Sequence, residues 1–131
     1  MTVLPDGRSL AISMSDGIGS WYTKNDRASE DFVTLGGKAY KLDQSELVFD
    51  KNDYTKPHQI KSSTKSKLFD TAHCQFDFEP AGSFEEGANL LVLAVRQSGG
   101  MGYYKGFCEI EGQSYVVNNA YGMLEHVWSR W

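Results

Sequence analysis

The sequence predicts an all-β, antiparallel domain, built as a barrel or half-barrel of about eight to ten strands. Period-two alternation of apolar and polar residues dominates the chain, and no helical period runs for ten residues. Thirteen glycines and a 13% aromatic content favour strands joined by tight turns. At 131 residues the chain fits one domain, residues 1–131, and can bury a core without metal or disulfide staples.

The elements follow in order. Leu10, Ile12 and Met14 alternate with small polar residues in a first strand, which the glycine loop 16–19 ends. Residues 21–30 are polar and irregular, with room for a helical turn. Residues 32–35 and 38–42 read as a hairpin, because Gly36 and Gly37 supply the positive φ angles of a tight turn. A short strand, 46–50, closes at Asn52-Asp53, and another resumes after Pro57 over 58–62. The clearest strand is 68–79, with Ala72, Cys74, Phe76 and Phe78 on one face; Pro80-Ala81-Gly82 is expected to stop it. Residues 84–88 are short enough for a helical turn.

Residues 89–97 are apolar on both faces and predict a strand through the middle of the sheet, covered on both sides. Residues 98–102, rich in glycine, read as a flexible turn. Residues 103–110 then pair with 114–118 across Glu111-Gly112, and 121–131 form the last alternating strand.

Charge and composition exclude several functions. The net charge of −4 is scattered, with no basic stripe to follow a phosphate backbone, so nucleic acid is not an expected partner. The longest apolar run, 90–95, is far short of the ~20 residues of a spanning helix. No secretory signal opens the chain. Cys74 and Cys108 show no metal-ligand or CxxC spacing. They read as two reduced, buried thiols, with a disulfide between neighbouring strands as the alternative; reduced thiols make a reducing, cytoplasmic compartment the expectation. His58, His73 and His126 are too dispersed to announce a metal site, and no phosphate loop or nucleophile elbow occurs, so no metal and no cofactor are expected.

Candidate chemistry is sparse. Glu125 and His126 are adjacent on a strand, so they face opposite sides and cannot act on each other. Glu125 shares its face with Tyr121 and Met123, and His126 shares its face with Leu124 and Trp128. A carboxylate in an apolar interior has a raised pKa and can act as a general acid; the alternative is a Glu tied to Arg130, Arg96 or a backbone amide. Arg130 either closes over a ligand carboxylate or stacks on Trp131. One of Tyr103 and Tyr104 points inward, as a ligand contact or as core with a satisfied hydroxyl.

Taken together, 16–19, Gly37-Lys38, Lys41-Leu42-Asp43, Phe76-x-Phe78-x-Pro80, 102–106, Gly112 and the closing 122–131 resemble successive landmarks of one family. That family is a domain of unknown function related to the AttH and carotenoid 1,2-hydratase group, whose members consist of two lipocalin-like (calycin-like) barrels. The resemblance spans the whole chain and is to the C-terminal half of such proteins, which are usually more than twice this length. His58 stands where family members tend to place a tryptophan. The resemblance implies a lipocalin-like barrel and a second barrel to meet it.

Three functions follow as expectations. The first is binding of a small apolar or lipid-like molecule, lined by Phe76, Phe78, Leu91, Leu93, Tyr104 and Met123, with Arg130 at its edge. The second is a structural subunit that forms a homodimer or pairs with a second barrel chain, through Trp21, Tyr22, Trp128 and Trp131. The third is a hydratase-, cyclase- or isomerase-type acid catalyst using Glu125 or His126; whether the chain is an enzyme at all stays open.

Overall fold

The computed structural model describes residues 1–15, 30–50, 52–53, 55–62, 72–90 and 92–130, with Arg130 described by its backbone alone. The glycine loop 16–19, the irregular stretch up to residue 29 and positions 68–71 of the long strand lie outside the described residues. Nine strands and no helix occur among those described, so no helix there is long and apolar enough to cross a membrane.

The strands are β1 (Thr2–Val3), β2 (Ser9–Ser13), β3 (Phe32–Leu35), β4 (Lys38–Lys41), β5 (Ser45–Val48), β6 (His58–Ser62), β7 (Ala72–Leu90), β8 (Leu93–Ile110) and β9 (Gln113–Arg130). They pair antiparallel in sequence order as two sheets, β1-β2-β3-β4 and β5-β6-β7-β8-β9. The expected all-β antiparallel architecture holds. Among the described residues, however, no ladder closes the sheets into one barrel, although β1 lies beside β9. The two sheets instead share one core. Leu10, Val33 and Leu35 come from the first, Leu42 from the crossover after β4, and Ile60, Phe76, Ile110 and Val117 from the second.

Two sets of polar contacts join the sheets. Asp31, fully buried, accepts from the amide and hydroxyl of Ser15 (both 2.7 Å) and from the amide (2.9 Å) and hydroxyl (2.5 Å) of Ser45. Near the β8–β9 turn, Lys38 pairs with Glu111 at 2.8 Å and the Tyr40 hydroxyl donates to the same carboxylate. The Lys38 ammonium holds the Glu111 carboxyl below the usual carboxylate range. Arg8 covers the Tyr115 ring, 5.1 Å from its centroid.

Several expectations for the second half of the chain are corrected. Pro80 does not end its strand. The β6 ladder stops at Phe78, so Pro80 lies beyond that neighbour, and a bulge between Pro80 and Gly82 absorbs the irregularity. Residues 89–97 are not one strand covered on both faces: 89–90 end β7 and 93–97 open β8, which does run between β7 and β9. They form the tip of the β7–β8 hairpin, where Leu90 is 63% and Val92 82% exposed. Residues 84–88 are strand, not a helical turn. The glycine run 98–102 is no turn either; it lies inside β8. Those glycines serve close approach: a Cβ on Gly99 would strike the Leu124 carbonyl oxygen, and one on Gly102 the Glu79 carbonyl oxygen. The Glu111-Gly112 turn is as expected, both residues having positive φ.

The cysteines are the clearest correction. Cys74 and Cys108 are directly opposite across β7 and β8, with Cα atoms 4.1 Å apart, and they form a disulfide. Facing positions of that close spacing occur at the non-hydrogen-bonded pairs of an antiparallel ladder. Register alone brings the thiols together, and register across 34 residues depends on where the hairpin turns. The expected reduced thiols are therefore absent, and the reasoning that led from them to a cytoplasmic compartment loses its basis.

Closing a 34-residue loop restricts the unfolded chain by roughly 4 kcal/mol on the chain-entropy argument. A Cys74→Ala/Cys108→Ala variant should lose about 2–4 kcal/mol in urea unfolding. The denatured, unreduced protein should show no free thiol. Two titrating thiols, or an unchanged midpoint, would contradict the bridge.

Candidate functional site

The site follows from the inner face of the β7–β8–β9 meander. Opposed residues in an antiparallel ladder share a face, so Phe76, Gly106 and Val117 form one inward row and Phe78, Tyr104 and Ala120 another. Between these rows β9 carries a bulge: Gly106 faces Val117 and Tyr104 faces Ala120, with Asn119 at φ 64°. The small side chains of Gly106 and Ala120 leave space over the sheet. Ile12 and Met14 project toward it from the end of β2, and Ile60 from β6.

The result is a recess of about 310 Å³ between the two sheets, at the small end of ligand pockets (~300–1,000 Å³). Its floor is buried and apolar: Phe76 and Val117 are each 2% exposed. On its exposed side it is bordered by Met1 and by residues 121–123 of β9, a stretch whose Tyr121 and Met123 side chains lie by register on the outer face of the sheet. Met1 and Met14 both border it, and methionine suits a site that adapts to shape, because the thioether chain is flexible and polarisable. The Cys74–Cys108 bridge and Tyr115 form the next inward row beyond the floor.

Tyr104 is the principal polar side chain within the recess. Its hydroxyl donates to the Met123 carbonyl at 2.7 Å, and its ring meets Phe78 at 4.6 Å and Phe76 edge-on at 6.2 Å. Burial pushes its pKa up to about 12. The hydroxyl is thus a neutral donor with its proton already committed. Of Tyr103 and Tyr104, it is Tyr104 that points inward; Tyr103 stands outside against Tyr121.

The structure sorts the residues chosen from sequence. Phe76, Tyr104 and Met123 border the recess. Phe78 lies beneath Tyr104, 1% exposed, stacked on His58. Leu93 does not reach the recess. It sits at the hairpin tip, eleven positions along β8 from Tyr104, roughly 35 Å away at the usual rise of a strand. Leu91 lies outside the described residues. Arg130 pairs with Ala94 at that same distant end, and its side chain is outside the described residues.

Glu125 and His126 face opposite sides of β9. Glu125 is exposed on the outer face, and His126 is half-buried inside against Phe49, at 5.5 Å. Neither borders the recess. His58 is buried, edge-on to the same Phe49 ring at 5.9 Å. Two histidines far apart in sequence thus share one aromatic neighbour. Among the described residues no group of three or more His, Cys, Asp or Glu could hold a metal ion. Of the aromatic patch expected to drive pairing, only Trp128 lies within the described residues, 50% exposed; Trp21, Tyr22 and Trp131 do not.

Sequence reasoning missed Ile12, Met14, Ile60, Val117 and Ala120 as lining residues. Alternation marked Ile12 and Met14 as one face of a strand. It carried no signal for which face of which other strand they would oppose.

Comparison with known proteins agrees with the family resemblance in its coarse form. No curated protein and no solved structure matches the chain. A family model covers residues 1–131 in full, and the chain belongs to that family, the domain of unknown function DUF2804.

Proposed function

We propose that the chain binds one small apolar or lipid-like molecule in the recess between its two sheets. The observation that carries this reading is the composition of the lining. A buried apolar floor of Ile60, Phe76 and Val117, with Met1 and Met14 beside it, carries the Tyr104 phenol, whose proton is already donated to the backbone; Ser13 and Tyr121 lie at the exposed edge. Transfer of an apolar molecule into such a space is favoured by roughly 25 cal/mol per Å² of surface removed from water. The acid-catalyst reading is weaker. Among the described residues, those lining the recess include no carboxylate, histidine or cysteine, so the acid expected from Glu125 or His126 is not supplied there. The resemblance of the sequence to the AttH and carotenoid 1,2-hydratase group supports the apolar ligand class without supplying the acid. Pairing with a second barrel chain is the reading favoured by the exposed outer face of β7–β9.

Titration with N-phenyl-1-naphthylamine, whose fluorescence rises in apolar surroundings, tests the reading. One saturable site is expected. An Ala120→Trp substitution fills the recess and should weaken binding about tenfold or more, while Leu93→Ala, remote from it, should leave binding unchanged. Equal affinity in both variants would place the dye elsewhere and sink the proposal.

The Tyr104 hydroxyl gives a pH signature. A phenol whose folded pKa is raised stabilises the fold fully below its unfolded value near 10. That contribution is lost as pH rises through about 12. Absorbance at 295 nm should show one tyrosine ionising late, near the upper end of that window, and Tyr104→Phe should remove that step. A late step that persists in the variant would assign it to another tyrosine.

A further inference from the structure

Beyond the recess, β7, β8 and β9 continue as a three-stranded ribbon whose outer face is turned away from the core. Register defines that face. Its first rows are Glu79–Tyr103–Tyr121 and Gly82–Met101–Met123. Phe84–Gly99–Glu125 and Glu86–Gln97–Val127 follow, then Ala88–Val95–Ser129 and, at the tip, Leu90–Leu93. Tyr103, Met101, Tyr121 and Met123 are 38–53% exposed. Val95, Val127, Leu93 and Leu90 are 39–63% exposed. Eight large apolar side chains on one face present roughly 700 Å² of surface, close to the ~800 Å² that each partner of a standard interface contributes. Isolated exposed apolar residues are ordinary, but a contiguous face of this size marks an interaction surface.

Charge chooses the occupant. The face carries three exposed carboxylates, Glu79, Glu86 and Glu125, and over these rows no lysine or arginine. Arg96, opposite Trp128, belongs to the other face and is paired there with Glu85. A second copy of the chain packed face to face would bring Glu125 and Glu86 against like charges. An anionic lipid surface would be repelled in the same way.

We propose that this outer face docks a different polypeptide, one whose contact surface is apolar and bears lysine or arginine. Its apolar side chains cover the tyrosine–methionine rows and the hairpin tip. Its cations meet Glu86 and Glu125, which lie between them.

The probe is an amphipathic leucine–lysine peptide, compared with its leucine–glutamate counterpart by fluorescence anisotropy against the full chain. Backbone amide shifts locate the contact. The lysine peptide should bind, with shifts concentrated in residues 93–103 and 121–129, and the glutamate peptide should not. Glu86→Lys/Glu125→Lys should weaken binding about tenfold or more. Because both positions are exposed, Glu86→Gln/Glu125→Gln serves as a milder second variant and should give an intermediate loss. Equal affinity for the two peptides, no binding of the lysine peptide, or insensitivity to both double variants would overturn the proposal. So would a dimer in sedimentation equilibrium that Val127→Asp dissociates, since the occupant would then be a second copy. Binding to phosphatidylcholine vesicles through the same residues would overturn it in favour of a lipid surface.

Discussion

One buried carboxylate fixes how the two sheets meet. Asp31 stands at the corner where the first sheet gives way to the second, just before β3. Its two oxygens accept four hydrogen bonds, from the amides and hydroxyls of Ser15, just after β2, and of Ser45, at the start of β5. Its own carbonyl takes the Leu42 amide at the crossover. Taking a carboxylate out of water is costly unless every lone pair is answered, and here four neutral donors answer them. The chain path from β2 to β3, and from β4 to β5, converges on this one group. The spacing of the sheets, and with it the recess between them, rests on that convergence.

The second constraint is the length of the meander. The 18-residue β8 pairs with β7 on one side and β9 on the other over most of its length, and its proximal half carries the residues of the shared core. Two bulges adjust its neighbours without breaking them, and glycines let three strands pack where any Cβ would collide with a neighbouring carbonyl. The proximal half yields a core, a disulfide and an apolar recess. The distal half carries the exposed Arg96–Glu85 ion pair and Trp128 on one face, and exposed tyrosine, methionine, valine and leucine with Glu86 and Glu125 on the other. The division between proximal and distal halves separates the two surfaces to which functions are assigned. One is enclosed and fits a small molecule; the other is open and fits a chain.

Much of this was legible in the sequence, and the failures have physical reasons. Alternation found the β3–β4 hairpin, the β8–β9 turn at Glu111-Gly112 and the inward face of Phe76, Phe78 and Tyr104, because each is local. It misread 89–97 as one strand covered on both faces, since an apolar run of that length looks the same in a buried strand and in an exposed hairpin tip. It misread 98–102, since glycine serves both as a turn former and as a spacer between packed backbones. It missed the Cys74–Cys108 bridge and the contribution of Ile12, Met14 and Ile60 to the recess, since both depend on register and sheet pairing over long separations. Glu125 drew notice as a carboxylate among apolar neighbours. That part of the reading stands, but those neighbours lie on the outside.

The dependence of the recess on the Asp31 corner is open to a direct measurement: urea unfolding and dye binding of an Asp31→Asn variant. The amide keeps the shape but turns one acceptor into a donor facing the Ser15 or Ser45 amide, leaving buried groups unsatisfied. Stability should fall by about 3 kcal/mol, and dye affinity should fall with it under conditions where the variant is still folded, because the sheets lose their fixed spacing. A variant as stable as the parent, with an unaltered binding curve, would show that the sheets are held by something else.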